Sequence, residues 1–204
     1  MSYSEVHAAL KRVLDTLLSE RQMSDQQGIE MMLNWIGYSF RVADLSPTIT
    51  RKTWEALEEI DLDFLYAVKE DMIGRFIFEE YPAVLPDNYP YQYPSEIKAK
   101  LDRILPHAKE EQIDRFIDPC GGSGGLMIEL HNRMGKKAIL YMAEPNVILY
   151  HVALINASIF DIPARILHAN EHLHDVSESS PNWAHANQWT PSYYRFILRT
   201  GPVI

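Results

Sequence analysis

The sequence predicts an α/β fold in which a helical N-terminal region leads into a Rossmann-like parallel sheet. Apolar residues recur at helical spacing through the first eighty positions, and from Asp114 onward short apolar runs alternate with helical segments. Strands alternating with helices read as βαβ units, whose crossovers are right-handed. The first apolar run, Phe116-Ile117-Asp118, opens directly into the glycine-rich turn Pro119-Cys120-Gly121-Gly122-Ser123-Gly124-Gly125.

Each element has a local reason. Val6, Leu10, Val13, Leu14, Leu17 and Leu18 lie on one helical face, and Ser2 with Glu5 forms a capping box. A second helix, about Asp25 to Val42, carries Ile29, Met32, Leu33 and Ile36, and Pro47 separates it from a third around Thr53–Ile60. A fourth, about Leu62 to Glu80, holds Phe64, Leu65, Val68, Met72, Ile73 and Phe76. Between Pro82 and Pro94 the prolines forbid helix and central strand, and Tyr89, Tyr91 and Tyr93 make this loop either a lid or a packed connection. A helix from Ser95 to about Leu105 follows. Then come a strand near Asp114–Ile117, a helix near Leu126–Arg133, a strand Ala138–Met142, a helix about Asn146–Phe160 and a strand Arg165–Leu167. These divide the chain into a helical region, 1–95, and a sheet-bearing region, 96–204.

Composition narrows the function. Hydrophobic content of 47% over 204 residues suits a folded domain with its own core. No apolar run is long enough to span a bilayer, and the segment MSYSEVHAAL has no signal-peptide core. The single cysteine excludes an internal disulfide and fits a reducing cytoplasm. A formal charge of −9 makes unaided binding to DNA weak, because duplex binders present a basic face. Lys98, Lys100, Arg103 and Arg115 are the nearest thing to a basic patch.

A polar residue ends each predicted strand or follows it closely: Asp118 before the turn, Glu144 after the second strand, and Asn170 after the third. In such a sheet, ligands lie outside the carboxyl ends of the strands. Glu144 is placed to accept hydrogen bonds from a ribose diol, and Asn170 to meet a purine amino group. A dinucleotide would need G-x-G-x-x-G, but Gly122 and Gly124 are followed by Met127 at the third glycine position. Asp118 repels phosphate and suits a cationic amino group. S-adenosylmethionine, which has one, is the cofactor that fits. His168, His172 and His174 invite a metal, but no further histidine or cysteine is spaced to complete a site, so no metal is expected. Cys120 lacks a partner for nucleophilic chemistry and is expected to be a small buried residue.

Asp118-Pro119-Cys120-Gly121-Gly122-Ser123-Gly124-Gly125 resembles the D-P-x-x-G-S-G-G motif of the N6-adenine DNA methyltransferases, notably the modification subunits of type I restriction systems. Glu144-Pro145-Asn146 resembles that family's acidic strand end. Val152-Ala153-Leu154-Ile155-Asn156 leading to Asp161-Ile162-Pro163 resembles its A-x-x-N-x-x-x-x-G-I-x segment, with Asp161 in place of glycine. Upstream, Asp71-Met72-Ile73-Gly74 with Glu79-Glu80 resembles the helix preceding the cofactor loop. Gln92-Tyr93-Pro94-Ser95-Glu96-Ile97 resembles a shortened Q-[FY]-x-T-P segment, which closes over the methionine end of the cofactor. The resemblance covers roughly Asp71 to Asn170 and implies a class I S-adenosylmethionine-dependent methyltransferase fold with an incomplete sheet of about four strands. It assigns Asp118, Pro119, Gly122, Gly124, Gln92 and Tyr93 to the methionine moiety, Glu144 and Pro145 to the ribose side, and Asn170 to the adenine.

One departure is large. The family's N/D-P-P-Y/F motif, which holds the adenine amine and stacks on a flipped base, occurs nowhere in the sequence. By position its substitute is Ala186–Tyr193, offering Asn187, Trp189 and Tyr193 as catalytic residues, followed by a strand at Tyr194–Leu198. A structural turn with core aromatics is the competing reading of that stretch. Two functions follow. One is an adenine-N6 DNA methyltransferase, with catalysis or target recognition supplied in part by a protein partner. The other is an inactive S-adenosylmethionine-binding or interaction module. An unfinished sheet edge also makes self-association an expectation.

Overall fold

The computed structural model describes residues 2–39, 51, 55, 58, 60, 62–87, 89–111, 114–118, 120–135 and 138–168. Helix α1 (Tyr3–Arg21) and α2 (Asp25–Ser39) are followed by α3 (Leu62–Val68), α4 (Met72–Glu80) and a single 3₁₀ turn at Pro82–Val84. Then come α5 (Pro94–Glu110), β1 (Arg115–Asp118), α6 (Gly125–Met134), β2 (Ile139–Glu144), α7 (Val147–Ile159) and β3 (Ala164–His168). The three described strands are parallel, in the order β1-β2-β3, with Asp118 opposite Met142 and Glu144 opposite His168. The fold is the helical region plus βαβ sheet that the sequence predicts. The third helix and the strand at Tyr194–Leu198 lie outside the described residues or almost so.

Helix α7 organises the packing. Ten of its residues are buried, so it is apolar nearly all round, as a helix enclosed by other elements must be. It lies against β2 and β3, and α2, α4 and α6 pack on it, with α1 resting on α2 and α4. One continuous core therefore runs from Val6 and Leu10 through Ile36, Phe76 and Leu101 to Val152 and Ile166.

Two expectations about helices need correction. The predicted helix Leu62–Glu80 is two helices, broken where Lys69 adopts φ 53° and Asp71 caps α4 by accepting the Gly74 N–H at 2.9 Å. An N-cap carboxylate satisfies a donor that a continuing helix would have served otherwise. Helix α5 runs a turn past its predicted end, with Pro106 inside it. A proline there removes one ladder hydrogen bond, yet the Glu111 N–H still reaches the His107 carbonyl at 3.0 Å.

The end of α7 explains the odd residue in the A-x-x-N segment. Ile162 N–H donates to Ala157 O at 2.9 Å and Asp161 N–H to Ser158 O at 3.3 Å, with Asp161 at φ 51°. That is a Schellman cap, whose left-handed position favours glycine. A side chain in this conformation costs about 1–2 kcal/mol, less for aspartate. Asp161→Ala is therefore expected to be about 1 kcal/mol less stable than Asp161→Gly in thermal denaturation.

Candidate functional site

The turn after β1 is built from backbone. Gly122 and Gly124 stand at φ 56° and 88°, conformations that glycine adopts without steric cost. Gly121 N–H donates to Ala143 O at 3.0 Å, which ties the turn to β2, and Gly124 N–H closes back on Gly121 O at 3.0 Å. Gly124 then caps α6, so the first amides of that helix open toward the turn. Gly121 is buried against Met142, and this inward step leaves Cys120 exposed at the apex, contrary to the buried cysteine expected.

Asp118 and Glu144 end adjacent strands. Asp118 is half-buried and accepts the Cys120 N–H at 3.1 Å; burial pushes its carboxyl up, against that hydrogen bond and the nearby Lys100 ammonium. Glu144 is buried, and its two oxygens reach different backbones: Oε2 accepts the Gly122 N–H at 2.9 Å and Oε1 the Asn146 N–H at 2.8 Å. Burial raises its pKa, although both hydrogen bonds oppose the shift. The sheet thus couples the glycine turn to the end of β2 through one carboxylate. Pro145 is exposed beside it, its carbonyl 3.0 Å from His168 Nε2, and the His168 ring stacks on Tyr150 at 5.1 Å.

The proline–tyrosine loop reaches the turn through a residue the sequence did not single out. The Tyr89 hydroxyl lies over Gly122 and against the Ser123 amide, close enough that the Glu144, Asp71 and Asp118 carboxylates all act on it. Its pKa is driven well up, first by burial and then by those charges. Tyr93 is elsewhere: it is 39% exposed, its ring packs on Phe78 and Tyr91, and it starts α5. Gln92 lines a narrow cleft with Asp71, Tyr91, Ile97, Gly125 and Glu129, beside the first turn of α6. No periodicity marks Tyr89 out from its neighbours; only tertiary packing separates them.

A second group lies beneath the turn. The Asp71 carboxylate is buried, and it accepts hydrogen bonds from Gly74 N–H, from Asn156 Nδ2 at 2.9 Å and from the Ser123 hydroxyl. Asn156 Nδ2 also donates to Ser123 O at 2.9 Å. These residues come from the three separate segments whose resemblance was noted, and the fold brings them together. Their motifs were legible, but their mutual contact was not.

Pro119, Asn170, Asn187, Trp189 and Tyr193 lie outside the described residues, as do His172 and His174. Among the described residues no three His, Cys, Asp or Glu side chains are grouped to hold a metal ion. Nor is any described helix long and apolar enough to cross a membrane.

Asp118 and Glu144, ending adjacent strands, give this edge of the sheet a hydrogen-bond-accepting character beside the turn. The space over Gly122 is taken by the Tyr89 hydroxyl, and the first amides of α6, beyond Gly124, are the donors that face the turn. The three carboxylates around the turn oppose a phosphate.

No family model matches the chain, and no curated protein matches it. Among solved structures, it is similar to a Listeria monocytogenes protein provisionally described as a class I S-adenosylmethionine-dependent methyltransferase. The two superimpose with a TM-score of 0.52 at 15% sequence identity, over 83% of this chain and 55% of the other. The likeness is one of fold, and the chain spans little more than half the length of that structure.

Proposed function

We propose that the chain binds S-adenosylmethionine across the carboxyl ends of β1 and β2 and serves a methyltransferase of the adenine-N6 DNA type. The observation that carries this reading is the arrangement of Asp118 and Glu144 at the carboxyl ends of adjacent parallel strands, with the left-handed Gly122–Gly124 turn between them tied to Glu144. Asp118 faces the amino group of the methionine moiety, the first amides of α6 take its carboxylate, and Glu144 holds the ribose hydroxyls. When bound, this cofactor supplies a methyl group on a sulfonium centre. Asn170 is assigned to the adenine ring, Gln92, Tyr93 and Tyr89 to the closing segment, and Asn187, Trp189 and Tyr193 to the base to be methylated. Because the chain is acidic, a partner subunit brings the target-reading surface.

Calorimetry with S-adenosylmethionine tests the first half. Asp118→Asn is expected to weaken binding by about 10-fold or more, the scale of one charge-assisted hydrogen bond. No binding by the wild type, or the same affinity in the variant, would sink the proposal. Transfer of tritiated methyl to unmethylated DNA tests the second half, with loss of signal in Asn187→Ala expected. A second reading rests on one observation, the missing N-P-P-[YF] sequence. On that reading the chain holds the cofactor without transferring its methyl group, and tight binding with no transfer, even with a partner added, selects it.

A further inference from the structure

We propose that Asp71 is a positioning residue for the cofactor turn, acting through Ser123 from the break between α3 and α4. This rests on the cofactor reading above for its consequence, though not for its geometry. The Asp71 side chain bonds the turn directly, and it is 6% exposed. Its two oxygens divide the work. Oδ1 accepts from Gly74 N–H and Asn156 Nδ2, both at 2.9 Å, and Oδ2 accepts from the Ser123 hydroxyl. Asn156 closes the arrangement by donating to the Ser123 carbonyl as well. Ser123 is therefore held by its side chain and its carbonyl at once, between the two left-handed glycines that set the direction of the turn's amides.

The packing leaves little slack. A Cβ placed on Gly74 would fall on Asp71 Oδ2 and within 2.5 Å of both Ser123 Cβ and Oγ, so α4 is seated directly on the turn. The Tyr89 hydroxyl rests against the Ser123 amide. Moving Ser123 thus moves the Gly122–Gly124 amides and the Tyr89 contact together. A buried polar group of this kind is costly unless satisfied, and here the three donors come from three different elements. Their common acceptor links α4, the turn and α7.

Hydrogen exchange of the full chain, without ligand, reads the turn directly. Ser123→Ala, which removes only the turn's side of the bond, is expected to speed exchange of the 120–125 amides about 10-fold. Asp71→Ala should do the same, and Asp71→Ala/Ser123→Ala should add little to Ser123→Ala alone. Asp71→Asn is expected to stay within about threefold of the wild type, because its amide can donate to Ser123 Oγ while Oδ1 keeps its two partners. Should Asp71→Ala fail to fold, Ser123→Ala and Asp71→Asn carry the test. Unchanged exchange in Ser123→Ala, or effects that add in the double variant, overturns the proposal. Calorimetry on the same proteins then follows the consequence, an affinity for S-adenosylmethionine weakened about 10-fold in Ser123→Ala and restored to near wild type in Asp71→Asn. Faster turn exchange in a chain whose wild type binds no S-adenosylmethionine supports the positioning role and overturns the cofactor reading instead.

Discussion

Glu144→Ala is expected to weaken S-adenosylmethionine binding by about 100-fold, close to 3 kcal/mol, as measured by calorimetry. Two losses combine. The ribose diol loses an ionised acceptor, and the Gly122 N–H loses the carboxylate oxygen that holds it at 2.9 Å. Glu144→Gln is not a silent replacement. The carboxylate accepts from Gly122 N–H with one oxygen and from Asn146 N–H with the other, so an amide must turn its donor end toward one of these donors. The glutamine variant is therefore expected to bind more weakly than the wild type by at least 10-fold. An affinity unchanged in both variants would remove Glu144 from the site.

The same carboxyl sets a pH dependence of stability. Burial raises its pKa above the usual 4.5, so its contribution to stability is present in full below that value and is lost as pH rises through the folded-state pKa. Glu144→Ala cannot undergo that loss. Its deficit in melting temperature relative to the wild type should be smaller at pH 8 than at pH 5, without ligand. A cationic ligand acts in the opposite sense, since it favours the ionised form and stabilises the wild type more as pH rises.

How much of this was legible in the sequence differs by element. The strands and α7 were legible because their apolar runs have one explanation, enclosure, and each is bounded by turn residues. The break before α4 was not. Phe64, Leu65, Val68, Met72, Ile73 and Phe76 keep helical spacing across it, and what interrupts the helix is the conformation of Lys69 and the Asp71 cap. Asp71 with Gly74 is a cap signal in hindsight, but a weak one against six apolar residues in phase. The glycine turn and the two acidic strand ends were legible as positions, since each follows directly on an apolar run, and the structure sets Asp118 and Glu144 at the ends of β1 and β2 beside the turn. Which loop tyrosine meets the turn was not, because Tyr89, Tyr91 and Tyr93 differ only in long-range packing. Cys120 illustrates the reverse error. Small size suggested burial, whereas the turn's inward step falls at Gly121 and carries Cys120 outward.

Gly122→Ala is expected to be strongly damaging, for two separable reasons. The residue stands at φ 56°, where an added Cβ costs about 1–2 kcal/mol in backbone strain alone. That Cβ would also run into the Tyr89 hydroxyl, which sits at the end of a rigid ring that must shift as a whole to make way. Together these are expected to lower the melting temperature by about 5 °C and affinity for S-adenosylmethionine by about 100-fold. Tyr89→Phe separates the two terms. It deletes the oxygen that the new Cβ strikes while leaving the ring in place, so it removes the collision and not the strain. The double variant Gly122→Ala/Tyr89→Phe should therefore recover part of the melting temperature lost in Gly122→Ala, leaving a residual deficit set by the backbone. Strict additivity of the two substitutions would place Tyr89 away from Gly122. Complete recovery would mean that the turn does not require its left-handed conformation, and with it the geometric case for a ligand cradle at Gly122 would fail.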